Sequence, residues 1–135
     1  LDLNDEKNNT DCINCSNDLD WKFIATVKKS VEDNMDNPSF NVDVLCNLLN
    51  MSRTSFYNKI KALTDQAPAD YIRLIRLKHA AQLLKEQKHT ITEISELTGF
   101  SDAKYFREVF KKHFNMSPSQ YAKRGKEGKD DKEIK

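Results

Sequence analysis

The chain has 135 residues, 22 Lys+Arg against 21 Asp+Glu, 38% hydrophobic and 9% aromatic residues and three Gly, which bounds it to one modest globular unit or two very small ones. Gly99, Gly125 and Gly128 form no Gly-rich loop, so P-loop and dinucleotide chemistry are excluded. No apolar run approaches the roughly 20 residues of a membrane span, and the opening Leu1-Asp2-Leu3 lacks the basic start and apolar stretch of a signal peptide.

The net charge of +1 hides an uneven distribution: residues 1–37 carry −5, residues 38–124 carry +6, and residues 125–135 are neutral. A basic middle block suits an anionic partner. The first residue is Leu1, which is expected of a piece of a longer protein or of a processed one. Three cysteines without a dense pattern place the chain in a reducing cytoplasm. Cys12 and Cys15 have C-x-x-C spacing, but a zinc site needs four ligands and no second pair follows, so they read as incidental. No metal, cofactor or catalytic residue is expected: His79, His89 and His113 are scattered, with no nucleophile–base constellation around them.

Residues 1–17 are rich in Asn, Asp and Lys and read as a flexible acidic linker. Ile24, Val27, Val31 and Met35 then recur at helical spacing, predicting a first helix over about 20–35 that closes at Asn37-Pro38. Val44, Leu45, Leu48 and Leu49 mark a short helix from Asn41, and Phe56, Ile60 and Leu63 mark another from Ser52, with only Asn50-Met51 between them. Pro68 opens the longest helix, about 68–87, whose apolar stripe runs through Tyr71, Ile75, Ala80 and Leu84. Thr90-Ile-Thr-Glu93 is a capping box that starts a short helix to Thr98. Gly99-Phe100-Ser101 turns the chain into a helix over about 102–114, and Ser117-Pro118 begins a last one to about Lys123. Residues 125–135 read as a disordered tail. The fold class is all-α, with seven helices and the apolar positions used up by helix seams, leaving little room for an effector cavity.

The two halves repeat. Phe56 and Phe106, Ile60 and Phe110, Lys61 and Lys111, Pro68 and Pro118, and Tyr71 and Tyr121 are each 50 residues apart, whereas Leu45 and Ile94, Leu48 and Leu97, and Asn50 and Gly99 are 49 apart. The chain therefore carries a duplicated helix–turn–helix, about 41–63 and about 91–114, with the second turn one residue longer. Cys46 and Ser95 supply the small contact residue, and Asn50 and Gly99 the left-handed turn residue. An αα-hairpin used only for packing permits the same residues. The exposed face of each second helix favours DNA: with the core positions removed, Arg53, Thr54, Tyr57 and Asn58 remain in one, and Ala103, Lys104, Arg107 and Glu108 in the other. Arg grips guanine O6 and N7, Asn adenine N6 and N7, Glu accepts from cytosine N4, and small residues meet thymine methyls.

Three stretches resemble the DNA-binding domain of the AraC/XylS transcriptional regulators. They are Met51 to Thr64, the helix Ala69 to Leu84, and Gly99 to Pro118 with its pattern G-F-x-D-x-x-Y-F-x-x-x-F-K-K-x-F-x-x-S-P. The resemblance covers about 38–124 and implies two helix-turn-helix subdomains joined by a rigid central helix, the whole domain occupying 18–124. Each subdomain would place a recognition helix in the major groove, so the partner is double-stranded DNA at two adjacent segments. At about 30 Å the central helix approaches the roughly 34 Å of one duplex turn. Ser52, Lys61, Arg73, Ser101, Tyr105, Lys111 and Lys112 are the candidate phosphate contacts. Met51 to Thr64 is also similar to the output domain at the C-terminus of hybrid two-component sensors. That makes receiver and kinase domains upstream in the same chain candidate partners, a histidine kinase a candidate activity of the intact protein, and RNA polymerase a further candidate partner; no membrane contact is expected of this piece. The competing reading is a helical protein–protein adaptor.

Overall fold

The computed structural model describes residues 14–124, and seven α-helices occur among them, with no strand. They are α1 (Asp18–Asp33), α2 (Val42–Leu48), α3 (Arg53–Thr64), α4 (Pro68–Glu86), α5 (Ile91–Leu97) and α6 (Ala103–Phe114), followed by α7 over 118–124. Residues 1–13 of the expected linker and the expected tail at 125–135 lie outside the described residues. Residues 14–17, read as part of that linker, are instead tied down. The Asn14 amide donates to Leu63 O at 3.0 Å and its Nδ2 to Ala62 O at 2.9 Å, which satisfies carbonyls left without a helical partner at the end of α3. Asn17 caps α1, accepting from the Asp20 amide at 2.9 Å. Cys15 is disulfide-bonded, against its reading as incidental, and Cys46 is a buried free thiol.

The chain divides into two compact units. Of the described residues, the first holds 14–34 and 40–75, and the second 35–39 and 76–124, so α4 begins in one and ends in the other. In the first unit α1 buries Ile24, Val27 and Val31, α3 buries Phe56 and Ile60, and the opening half of α4 buries Tyr71, Ile72 and Ile75. Phe23 meets Phe56 edge-on with centroids 6.1 Å apart, and the Lys59 ammonium lies 4.7 Å from the centre of the Phe23 ring. In the second unit Leu77, Ala80, Ala81 and Leu84 of α4 pack with Ile94, Phe100, Phe106 and Phe110. Phe110 and Phe114, with centroids 4.4 Å apart, extend this core to Tyr121 of α7, 5.4 Å from Phe110.

The repeat legible in the sequence recurs in the backbone of the two turns. Asn50 (φ 54°) and Gly99 (φ 80°) are both left-handed. Met51 N donates to Cys46 O at 3.0 Å, and Phe100 N to Ser95 O at 2.9 Å, so each turn closes on its small, buried residue. The extra residue of the second turn is Ser101, because the next helix is capped by Ser52 in one unit and by Asp102 in the other. The repeat also reaches a pair not expected from the sequence: Asp65 and Asn115, 50 residues apart, both end their helices at φ near 60° and donate to Lys61 O and Lys111 O at 2.9 and 2.8 Å. Asp and Asn tolerate this conformation better than other residues with a side chain.

The capping box at α5 is complete, with Thr90 Oγ1 accepting from the Glu93 amide at 3.1 Å and Glu93 Oε1 from the Thr90 amide at 2.7 Å. The Thr90 amide draws the Glu93 carboxyl below the usual glutamate range against a smaller upward pull from desolvation, and the Thr90 hydroxyl and His89 act in the same direction as the amide. A carboxyl whose pKa is depressed by folding stabilises the fold above its unfolded pKa and loses that contribution as pH falls through the folded value. Thr90→Ala removes the N-cap acceptor of α5 and is expected to cost about 1 kcal/mol. The stability difference between the protein and its Glu93→Gln variant should shrink on acidification below the ordinary glutamate range, as read by urea denaturation at stepped pH.

Candidate nucleic-acid interface

Positions i, i+1, i+4 and i+5 share one side of a helix, and that spacing sets Arg53, Thr54, Tyr57 and Asn58 together on α3, and Ala103, Lys104, Arg107 and Glu108 together on α6. The opposite side is committed to the interior: Phe56 is 1% exposed, and Ile60, Phe106 and Phe110 are 0%. All four residues of the α3 set are exposed, as are Lys104, Arg107 and Glu108, while Ala103 is half-buried. The first set lines a single open groove of about 410 Å³, with Val42, Ala67, Pro68 and Ala69 as its apolar floor. A groove beside α3 was not expected from the composition.

Of the residues expected to meet phosphates, Ser52, Lys61, Ser101, Tyr105, Lys111 and Lys112 are exposed and Arg73 is half-buried. Arg73 is held by Asp70 one turn earlier at 2.6 Å. Ser52 Oγ accepts from the Ser55 amide at 3.1 Å, and Asp102 Oδ1 from the Lys104 amide at 3.0 Å. On α3 the charges are Arg53, Lys59 and Lys61 with no acid; on α6 Lys104, Arg107, Lys111 and Lys112 outnumber Glu108.

Two polar groups bear on this geometry without having been marked by the sequence. Asp43 of α2 pairs with Arg53, Oδ1 to Nε 3.0 Å. Nothing local signals the pair, since its members are ten residues apart across the turn. Nearby, burial pushes the Cys46 thiol up from its ordinary pKa, with Asp43 adding to the shift and Arg53 opposing it. The second group is Arg76, which lies within the apolar stripe of α4 and is only 5% exposed. Its Nη1 donates to Met35 O at 2.6 Å and Thr98 O at 2.8 Å, and its Nη2 to Asn37 O at 3.0 Å. Burial lowers its pKa, and Asp36 partly offsets this. Arg76 thereby ties the end of α5, immediately ahead of the turn, to the segment after α1.

Residues 45–124 match the family described as helix-turn-helix domain. Histidine kinase P4 of Formosa agariphila is 46% identical over 78% of this chain, which spans only 8% of that protein's length. Among solved structures, the DNA-binding domain of the global transcriptional factor AdpA, in complex with a target DNA, superimposes with a TM-score of 0.67 at 26% identity, covering 73% of this chain and 87% of that one. The C-terminal domain of the two-component response regulator yesN from Fusobacterium nucleatum gives a TM-score of 0.67 at 28% identity over 73% of this chain and 95% of that one. The two structural likenesses are to a DNA-binding domain and a response-regulator domain. With its duplicated turn geometry and this family match, the chain belongs to the AraC-type helix-turn-helix domains.

Proposed function

We propose that residues 18–124 bind double-stranded DNA sequence-specifically as the output domain of a bacterial transcriptional regulator, one chain reading two adjacent major-groove segments through units at about 41–63 and 91–114. The observation that carries this reading is the pair of second helices, α3 and α6, one burying Phe56 and Ile60 and the other Phe106 and Phe110, each with exposed polar and charged residues on its other side. The AdpA domain, similar in fold and sequence, is bound to its target DNA. Arg53, Thr54, Tyr57, Asn58, Ala103, Lys104, Arg107 and Glu108 contact bases; Ser52, Lys61, Arg73, Ser101, Tyr105, Lys111 and Lys112 contact phosphates. The two helix N-termini are unequal in this role, because Ser52 caps α3 with a neutral hydroxyl whereas Asp102 brings a carboxylate to α6 that repels a phosphate.

The relatives support a hybrid two-component setting, in which receiver and kinase domains of the same cytoplasmic chain lie upstream, the kinase activity belongs to the intact protein and RNA polymerase is a downstream partner. No helix of the described residues is long and apolar enough to cross a membrane.

Substitution separates the two kinds of contact. Arg107→Ala is expected to relax preference at one or two base positions and cost about 1–3 kcal/mol on the best site, whereas Lys111→Ala weakens binding to all sequences alike and makes the salt slope shallower by about one unit. Titration of each variant against matched and mismatched duplexes at several salt concentrations reads both effects. Affinity that stays flat between about 50 and 200 mM salt would favour the protein–protein adaptor instead.

A further inference from the structure

The Asp43–Arg53 pair joins the first turn of α2 to the first residue of α3. Its side chains are 59% and 77% exposed, and an ion pair in that much water contributes little to stability. Its place is more informative than its strength. A guanidinium presents five N–H donors in a planar fork, and a carboxylate on Nε leaves both terminal nitrogens available. Those nitrogens belong to a side chain lining the same groove as Thr54, Tyr57 and Asn58. An arginine on a free stem can satisfy itself on any phosphate, which adds affinity for every sequence and preference for none. A neighbouring carboxylate repels phosphates, and it spends the rotamer freedom of the arginine before DNA arrives. The duplication supplies an internal comparison: the positions matching Asp43 and Arg53 in the second unit are Thr92 and Ala103, so the acid and the base are present together in one unit and absent together in the other.

We propose that Asp43 is a positioning residue that holds Arg53 for end-on recognition of a guanine, and so sets base preference without touching a base. The inference rests on the reading of Arg53 as a base contact. When the duplex excludes water from the pair, the attraction between its members strengthens.

The test uses the full chain and a panel of duplexes in which each position of its selected best site is varied singly. Arg53→Ala should abolish preference for guanine at one position. Asp43→Ala should lower that same preference about threefold to tenfold, the range expected of coupled neighbours, while affinity for an unrelated duplex holds or rises. Asp43→Asn, which keeps an acceptor oxygen, should retain most of the preference, and Asp43→Ala added to Arg53→Ala should change no preference further. Since Asp43 also supports the N-terminus of α2, melting curves accompany the measurement: a merely structural role would weaken binding to every duplex equally, and that result would overturn the proposal. An unaltered preference in Asp43→Ala beside an altered one in Arg53→Ala would overturn the positioning role alone. Unaltered preferences in Arg53→Ala would overturn the base contact and the positioning role together.

Discussion

Phe106→Ala is expected to destabilise the protein by about 3–5 kcal/mol and to abolish DNA binding through loss of the fold. Phe106 is fully buried, with ring centroids 5.1 Å from Phe100 and 5.7 Å from Phe110, in the cluster that also takes Leu77, Leu84 and Ile94. Removing the ring leaves a cavity between α4, α5 and α6 whose lining is fixed by three helices, so little collapse is available to refill it. A loss of that size is a large share of the stability of a small domain. The shift of the urea midpoint measures it, and the surviving fraction of folded protein should track the surviving DNA affinity. A Phe106→Ala protein that stays as stable as its parent yet no longer binds DNA would mean that α6 presents Phe106 to the duplex.

The second large effect is expected at Gly99 and Arg76. Gly99 sits at φ +80°, and a Cβ there would fall on the Arg76 guanidinium and come within 2.5 Å of Met35 O. Gly99→Ala therefore combines an unfavourable left-handed backbone with displacement of a buried arginine. Arg76→Met removes the donor from three carbonyls, those of Met35, Asn37 and Thr98. An acceptor orphaned in the interior costs about 1–3 kcal/mol, so each substitution should lower stability by about 3 kcal/mol or more. Because both act on one contact, the double variant should lose clearly less than the sum. Asn50→Ala, at the matching turn position with φ 54°, should cost only about 1–2 kcal/mol, the penalty of the left-handed conformation alone. Thermal melting of the four variants gives the comparison, and strict additivity of Gly99→Ala with Arg76→Met would contradict the shared contact.

The parts of this fold legible in the sequence are those whose causes are local. Thr90 and Glu93 cap α5 because three residues separate a hydroxyl from a carboxylate, and Asn50 and Gly99 turn left-handed because few residues tolerate that conformation. The burial of Phe56, Ile60, Phe106 and Phe110 followed from helical spacing, and the same spacing left Arg53, Tyr57, Lys104 and Arg107 exposed. What was hidden depends on partners distant in sequence. Arg76 is 41 residues from one acceptor and 22 from another, and in a pattern of apolar and charged residues an arginine reads as solvent-facing. Asn14 reaches 48 residues along the chain to the end of α3, a connection that no local composition announces. Asp43 reads as an ordinary surface charge until the turn between α2 and α3 brings it to Arg53. The left-handed ends at Asp65 and Asn115 were within reach of the sequence, since they repeat at the same 50-residue spacing as the prolines.

The most direct test is selection of duplexes bound by this chain from a random pool, followed by titration of the best duplex against a scrambled one of equal length at fixed physiological salt. The account predicts enrichment of two short blocks about one helical turn apart and a specific affinity at least about a thousandfold above that for the scrambled duplex. A pool that emerges without a common sequence, or equal affinity for the two duplexes, would contradict sequence-specific DNA binding by this domain.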